Sequence, residues 1–410
     1  MELINIISIL ITLAALFSYI NYRFVKLPSA IGLMLITLVL SLCLIIIANL
    51  GVGIEEASIR KVMGEIDFSE ALLHGMLGFL LFAGALHVNI NDLAEKKWEI
   101  GIVATAGVLL STVLVGTMTY VVSHWMGLSL NYIYCLLFGA LISPTDPIAV
   151  LGILNKAGVP KSLTIKITGE SLFNDGIGVV VFIVLLGFVT GMHEVTASEI
   201  TLLFAEEALG GIVFGLVLGL IGYHLLKSVD NYQVEVLVTL ALVMGGYSLA
   251  YAMHTSGPLA MVVAGLLIGN FGRKFAMSDT TRDHLDTFWE LIDEILNAVL
   301  FVLIGLEVLI LSLSNRSLAA GLIAIPLVLI ARFLSVGLPI RLLRLVRQIS
   351  PHAIKVLTWG GLRGGISVAL ALSLPKGAER DIILTMTYAV VVFSIVVQGL
   401  TLQYVVQREP

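Results

Sequence analysis

An all-α polytopic membrane protein with about 13 transmembrane helices is the fold class that three observations predict. The 410-residue chain is 58% hydrophobic and only 12% charged, against about 25% charged in an average soluble domain. Apolar runs of roughly 20 residues, the length of a membrane helix, recur from end to end. Two of these runs carry prolines or glycines that interrupt them, which marks spans 5 and 12 as broken helices. A soluble chain this apolar would have no polar surface to offer water. The net charge of −5 says little, because loop placement matters more than the sum. Nothing points to a nucleic acid, and the partner read from composition is the lipid bilayer.

The spans are expected near 3–22, 29–50, 69–88, 98–124, 130–154, 161–190, 200–226, 233–252, 257–270, 284–312, 316–344, 353–374 and 380–403. The first follows Met1-Glu2 with no basic region and no small-residue cleavage site, so it reads as a true span rather than a cleaved signal. Cys43 and Cys135 each lie in an apolar run and read as small core residues, not a disulfide. No soluble domain is expected after the last span. With the N-terminus outside, 16 Lys and Arg fall in inner loops and 5 in outer ones. The positive-inside rule then places the C-terminus in the cytoplasm.

The fifth span contains Ser143-Pro-Thr-Asp-Pro147. Each proline removes a backbone donor and disfavours helix at the residue before it. Two half-helices with unwound backbone at Ser143–Asp146 are expected. The sixth span carries Gly169-Glu-Ser-Leu-Phe-Asn-Asp-Gly-Ile-Gly178 inside an otherwise apolar run. A carboxylate at the bilayer centre costs roughly 2.5–3.5 kcal/mol on insertion scales. Such acids need a reason. Ser171 and Asp175 are four apart on one helix face, and Glu170 and Asn174 are four apart on the next. The first pair reads as facing a cation, the second as a brace around a buried arginine. The twelfth span contains Gly360-Gly-Leu-Arg-Gly-Gly365, four glycines around Arg363. Two interrupted spans in separate halves point to an inverted-repeat transporter with its site at the midplane.

Asp146 and Asp175 are the candidate ion ligands. A hard cation such as Na⁺ takes oxygen donors, which Asp175, Asp146, Ser171 and Thr145 can supply. A buried carboxylate beside a second acid can hold a proton, or a cation after losing it. A site that holds one or the other is the minimum device for exchange. Arg332 and Arg363 are buried cations that need partners. Arg332 is paired with Glu170, with Asn174 in the same network. Arg363 is expected to offset Asp146 or the opposing half-helix ends. Asp283, Asp286, Glu290, Asp293 and Asn297 follow three- and four-residue steps. Of that stripe, Asp286, Glu290 and Asp293 can line a cytoplasmic funnel that attracts cations, or can simply be a solvated helix end. The histidines share no metal-ligand spacing and read as core or interface residues.

These motifs, in this order and spacing, resemble those of the monovalent cation:proton antiporters. The likeness is to the Asn-Asp branch that includes the bacterial NhaP type and the eukaryotic sodium/proton exchangers. The resemblance implies the antiporter fold with broken spans 5 and 12 crossing. It implies a core transport domain at about 98–190 and 316–403, a dimerisation domain at about 3–88 and 200–312, and a homodimer. It implies no enzyme activity and no cofactor. The transported ions would be Na⁺ or Li⁺ against H⁺, one for one and electroneutral, with an elevator-type movement and a role in pH homeostasis. Asp175 matches the essential ion- and proton-binding carboxylate. Asp146, Ser171 and Thr145 match the further ligands of the transported Na⁺, and Asn174, Glu170 and Arg332 the stabilising network. The plasma membrane of a bacterium is the expected location. A K⁺/H⁺ antiporter on the same scaffold is the alternative. A cation channel is a weaker one. So is an intramembrane aspartyl protease, whose Tyr-Asp and Gly-x-Gly-Asp elements surround neither aspartate.

Overall fold

The structure, a computed structural model, describes residues 3–49, 68–146, 150, 161–191, 196–309, 314–345 and 353–407. Among these residues the ordered elements are helices, with no strand. They are α1 (Leu3–Ile20), α2 (Ser29–Asn49), α3 (Leu77–Leu86), α4 (Lys97–Trp125), α5 (Tyr132–Leu141), α6 (Lys161–Val189) and α7 (Ala197–Ser228). There follow α8 (Tyr232–Ala252), α9 (Gly257–Leu267), α10 (Asp279–Glu307), α11 (Asn315–Leu343), α12 (Ala353–Trp359), α13 (Gly365–Leu372) and α14 (Ala378–Phe393). Helical turns from Phe68 lead into α3, and α14 continues through a wider π-turn at Ser394–Gln398. Nine helices among the described residues are long and apolar enough to cross a membrane. Pro147 and the rest of the fifth expected span, apart from Val150, lie outside the described residues.

Polar caps set the starts of these helices. Asn131, Thr196, Asn231, Ser256, Ser278 and Ser314 each accept a backbone N–H of the turn that follows. Such a cap satisfies donors that have no partner within the helix. The Ser278 cap starts α10 five residues before the expected position 284. The early turn carries Asp279, Arg282 and Asp283, whose charge hides it from a hydrophobicity pattern. Cys135 is buried as expected, but Cys43 is exposed on the outward side of α2, and both thiols are free. A thiol is apolar enough for a lipid-facing position.

The helices pack in two groups. Helices α4, α5, α6, α11, α13 and α14 contact one another, while α1, α2, α3 and α7 to α10 form the second set. The groups meet where α6 touches α7 and α9, and where α13 touches α10 and the turns before α3. Small residues permit the close crossings. On α5, a Cβ at Gly139 would lie 3.0 Å from the Thr112 carbonyl carbon and closer still to its oxygen. That contact seats the C-terminal end of α5 against α4. Gly139→Ala should therefore destabilise the fold by about 1–3 kcal/mol, as overpacking does. Thermal unfolding of the detergent-solubilised variant checks this, and an unchanged midpoint would show that α4 and α5 can separate freely.

Candidate functional site

Helix α5 stops at Leu141, three residues before Pro144. Residues 143–146 have no regular structure. The Ser143 hydroxyl donates back to the Gly139 carbonyl at 2.7 Å and shares a hydrogen bond with Ser111 Oγ at 2.9 Å. The second break falls between α12 and α13, at Gly360–Gly364. The two breaks bond to each other. Asp146 N–H donates to the Leu362 carbonyl at 2.7 Å. Arg363 Nη1 donates to the Ser143 carbonyl at 2.5 Å and the Pro144 carbonyl at 3.0 Å. Of the two partners expected for Arg363, the structure gives it the carbonyls at the half-helix end. Its own N–H donates to Ser394 Oγ at 2.9 Å.

The unwound turn lies against the polar face of α6. Thr145 N–H donates to Asp175 Oδ1 at 3.0 Å and to Asn174 Oδ1 at 3.3 Å. The Thr145 hydroxyl accepts from Asn174 Nδ2 at 2.8 Å and shares a hydrogen bond with Ser171 Oγ at 2.9 Å. Thr145, Ser171, Asn174 and Asp175 are all buried, and Asp146 is half-buried. A side chain on Gly364 would collide with Asp146, since a Cβ there would be 2.7 Å from Oδ2. Glycine is what lets α13 begin at this carboxylate.

One turn away, Glu170 Oε1 accepts from Arg332 Nη2 at 2.5 Å, with both side chains buried. Arg332 also donates to the Leu357 carbonyl at 3.3 Å. The expected brace of Glu170 and Arg332 is thus present, but Asn174 is not bonded into it. Its amide reaches Thr145 instead, because the unwound backbone offers both a donor and an acceptor there. Lys166 pairs with Glu99 of α4 at 2.5 Å.

Thr145, Asp146 and Asp175 open on a cavity of about 690 Å³ between the two helix groups. Its acidic lining residues are Asp92, Asp146, Asp175, Glu290 and Asp293, and no Lys or Arg among the described residues lines it. Of the expected funnel residues, Glu290 and Asp293 face this cavity. Asp286 does not, because its carboxylate is ion-paired with Arg273 and lies 3.8 Å from His87 Nε2. Sequence reasoning missed His87, Asp92 and Ser367 as cavity residues. His87 and Asp92 sit at the end of α3 and just beyond, where no motif distinguishes them from loop residues. Ser367 follows the arginine motif and carries no charge or backbone signature that sets it apart.

Breaking one side of the Glu170–Arg332 pair leaves a buried charge alone, which costs about 3–5 kcal/mol. Arg332→Leu should therefore lower stability by about that much. Glu170→Gln combined with Arg332→Leu should recover most of it. A double-mutant cycle on thermal denaturation reads the coupling, and additive losses would mean that the two charges do not depend on each other.

A family model described as "Sodium/hydrogen exchanger, transmembrane" matches residues 11–408. The Na(+)/H(+) antiporter NhaP of Pseudomonas aeruginosa is 52% identical over 410 residues, 99% of this chain and 97% of that protein. The Na(+)/H(+) antiporter NhaH of Halobacillus dabanensis is 36% identical over 411 residues, 98% of this chain and 97% of its own length. The solved structure of the sodium proton antiporter MjNhaP1 from Methanocaldococcus jannaschii at pH 8 superposes with a TM-score of 0.76. It is 22% identical, covers 99% of both chains and shares the fold.

Proposed function

The chain belongs to the sodium/hydrogen exchanger family, and from that premise we propose that it exchanges Na⁺ for H⁺ across a bacterial cell membrane, with Asp175 as the shared binding carboxylate. The observation that carries this reading is a buried carboxylate at the floor of an acidic cavity, held by the unwound backbone of Thr145. Asp175 binds a proton in one half of the cycle and Na⁺ in the other. Asp146, Thr145 and Ser171 offer further oxygens for the cation. Carboxylate, hydroxyl and carbonyl oxygens suit a hard monovalent ion. Asn174 holds Thr145 in place without adding charge. With one titrating acid, each cycle moves one positive charge each way, and Li⁺ enters by the same chemistry.

The two helix groups supply the parts for alternating access. The group of α4, α5, α6, α11, α13 and α14 carries every proposed ligand, and it acts as the transport domain, about 98–190 and 316–403. The other group, about 3–88 and 200–312, acts as the dimerisation domain of a homodimer. The transport domain slides past it in an elevator-type movement, carrying Asp175 from one face of the membrane to the other. Arg332 travels with Glu170 and Arg363 with the Ser143 and Pro144 carbonyls, so neither buried arginine loses its partner during the movement. In the orientation proposed, the N-terminus is outside and the acids of α10 line the cytoplasmic mouth.

Asp175→Asn should abolish exchange in proteoliposomes while the protein still inserts and elutes as a single species. Robust exchange by this variant would remove Asp175 from its role. In the wild type, Na⁺ and H⁺ compete for one carboxylate. Linkage then requires the apparent KM for Na⁺ to rise about tenfold for each unit by which pH falls, once the proton dominates the site. A KM indifferent to pH would separate the two sites. An imposed membrane potential should leave the endpoint unchanged, since a net charge moved through 100 mV is worth about 2.3 kcal/mol and none moves in a one-for-one exchange.

A further inference from the structure

Helix α10 ends in carbonyls that the helix itself cannot bond. The last four carbonyls of an α-helix lack an intrahelical donor. Because α10 runs Asp279–Glu307, these belong to residues 304–307. The Leu306 carbonyl takes the N–H groups of Val308 and Leu309. The Gly305 carbonyl accepts from Ser41 Oγ at 2.8 Å. The Ile304 carbonyl accepts from the Tyr388 hydroxyl. Ser41, Ile304 and Tyr388 are all buried.

The two hydroxyls come from different places. Ser41 is on α2, which packs on α10 within one helix group. Tyr388 is on α14, which packs on α11 and α13 in the other group. The Tyr388 bond therefore crosses the seam between the groups, and the Ser41 bond does not. On α10, Asp293, Asn297 and Leu300 line the cavity. Leu300 packs on Gly365 of α13, where a Cβ would lie 2.8 Å from Leu300 Cγ. Ile304 is four residues further on the same helix face, about 6 Å beyond. The seam is thus open along the cavity, closes at Leu300 and is tied one turn later by Tyr388.

We propose, on the reading of the two helix groups as parts that slide, that the bond from Tyr388 to the Ile304 carbonyl is a latch. It holds the arrangement in which the cavity is open, and it makes Tyr388 a positioning residue of the exchange cycle. Tyr388 does not line the cavity, and it acts through where α14 stands against α10. When α14 slides past α10, the phenol leaves and the Ile304 carbonyl loses its donor at a buried helix end. A buried acceptor without a partner is costly, so the arrangement that keeps the bond is favoured. Ser41 is indifferent to the movement. Helices α2 and α10 stay together, and the Gly305 carbonyl keeps its donor throughout. Two adjacent carbonyls thus carry the same kind of bond, one broken by the movement and one not.

The test is fluorine NMR of the full-length protein in lipid nanodiscs, with monodisperse elution as the check on folding. A trifluoromethyl thiol label sits on Leu80→Cys, a cavity position on α3, in a background of Cys43→Ser and Cys135→Ala. Wild-type protein should show two resonances. The one broadened by a water-soluble paramagnetic agent belongs to the arrangement with the cavity open. Tyr388→Phe keeps the ring and removes the donor. It should lower the weight of that resonance relative to the other by about fivefold. Ser41→Ala removes the matching bond within one group and should leave the weights unchanged. A single resonance in the wild type that becomes two in Tyr388→Phe also supports the latch. Wild-type weights in Tyr388→Phe, or an equal shift in Ser41→Ala, overturn the latch and leave the sliding groups standing. One and the same resonance in all three proteins overturns the sliding and the latch together.

Discussion

Unwound backbone at membrane depth leaves carbonyls that lipid cannot bond, and here Arg363 bonds them. Its guanidinium meets the carbonyls of Ser143 and Pro144 just past the end of α5. That end carries the negative pole of a half-helix, so charge and hydrogen bonding act in the same direction. The support runs both ways. Asp146 N–H bonds to Leu362, beside the arginine, and Gln398 of the last helix donates to the Trp359 carbonyl at 3.1 Å. The two breaks bond to each other, and the second also bonds to the π-turn through Ser394 and Gln398. Once these carbonyls are held, the Thr145 N–H is free to point at Asp175.

The Glu170–Arg332 pair plays a different part. It lies behind the proposed ion ligands and does not line the cavity. Full burial makes such a pair a poor source of stability in itself, since desolvation offsets the attraction. What it provides is registry. Arg332 can satisfy Glu170 and the Leu357 carbonyl only when α6, α11 and α12 sit at one relative height. The height of α6 in turn fixes Asp175 against the unwound turn.

The fold was largely legible in the sequence because lipid imposes so strong a pattern on composition. The breaks were legible because proline and glycine have fixed backbone consequences. The cluster around Asp175 was legible because carboxylates in an apolar run demand partners. Three matters were not legible. Asn174 could bond Glu170 along its own helix or Thr145 across a gap, and only the path of the unwound backbone decides between them. Asp286 fits the acidic stripe of α10 by spacing, yet Arg273 captures it, and helical periodicity carries no information about a neighbouring helical turn. Ser367 looks in sequence like any small residue in a membrane helix, and only the packing of α13 puts it in the cavity wall.

The bonds that hold the site span long stretches of chain. Glu170 and Arg332 are 162 residues apart, and Arg363 and Ser143 are 220 apart. At roughly 5–20 residues per second, the ribosome takes on the order of ten to forty seconds to make the second partner after the first. During that interval Glu170 sits in the nascent protein without Arg332, and the Ser143 and Pro144 carbonyls sit without Arg363. These groups must wait in the insertion machinery, at the lipid headgroups or against a temporary partner. The half of the protein that carries Asp175 and the first break is thus made first, and its assembly is completed by the half that carries Arg332 and Arg363.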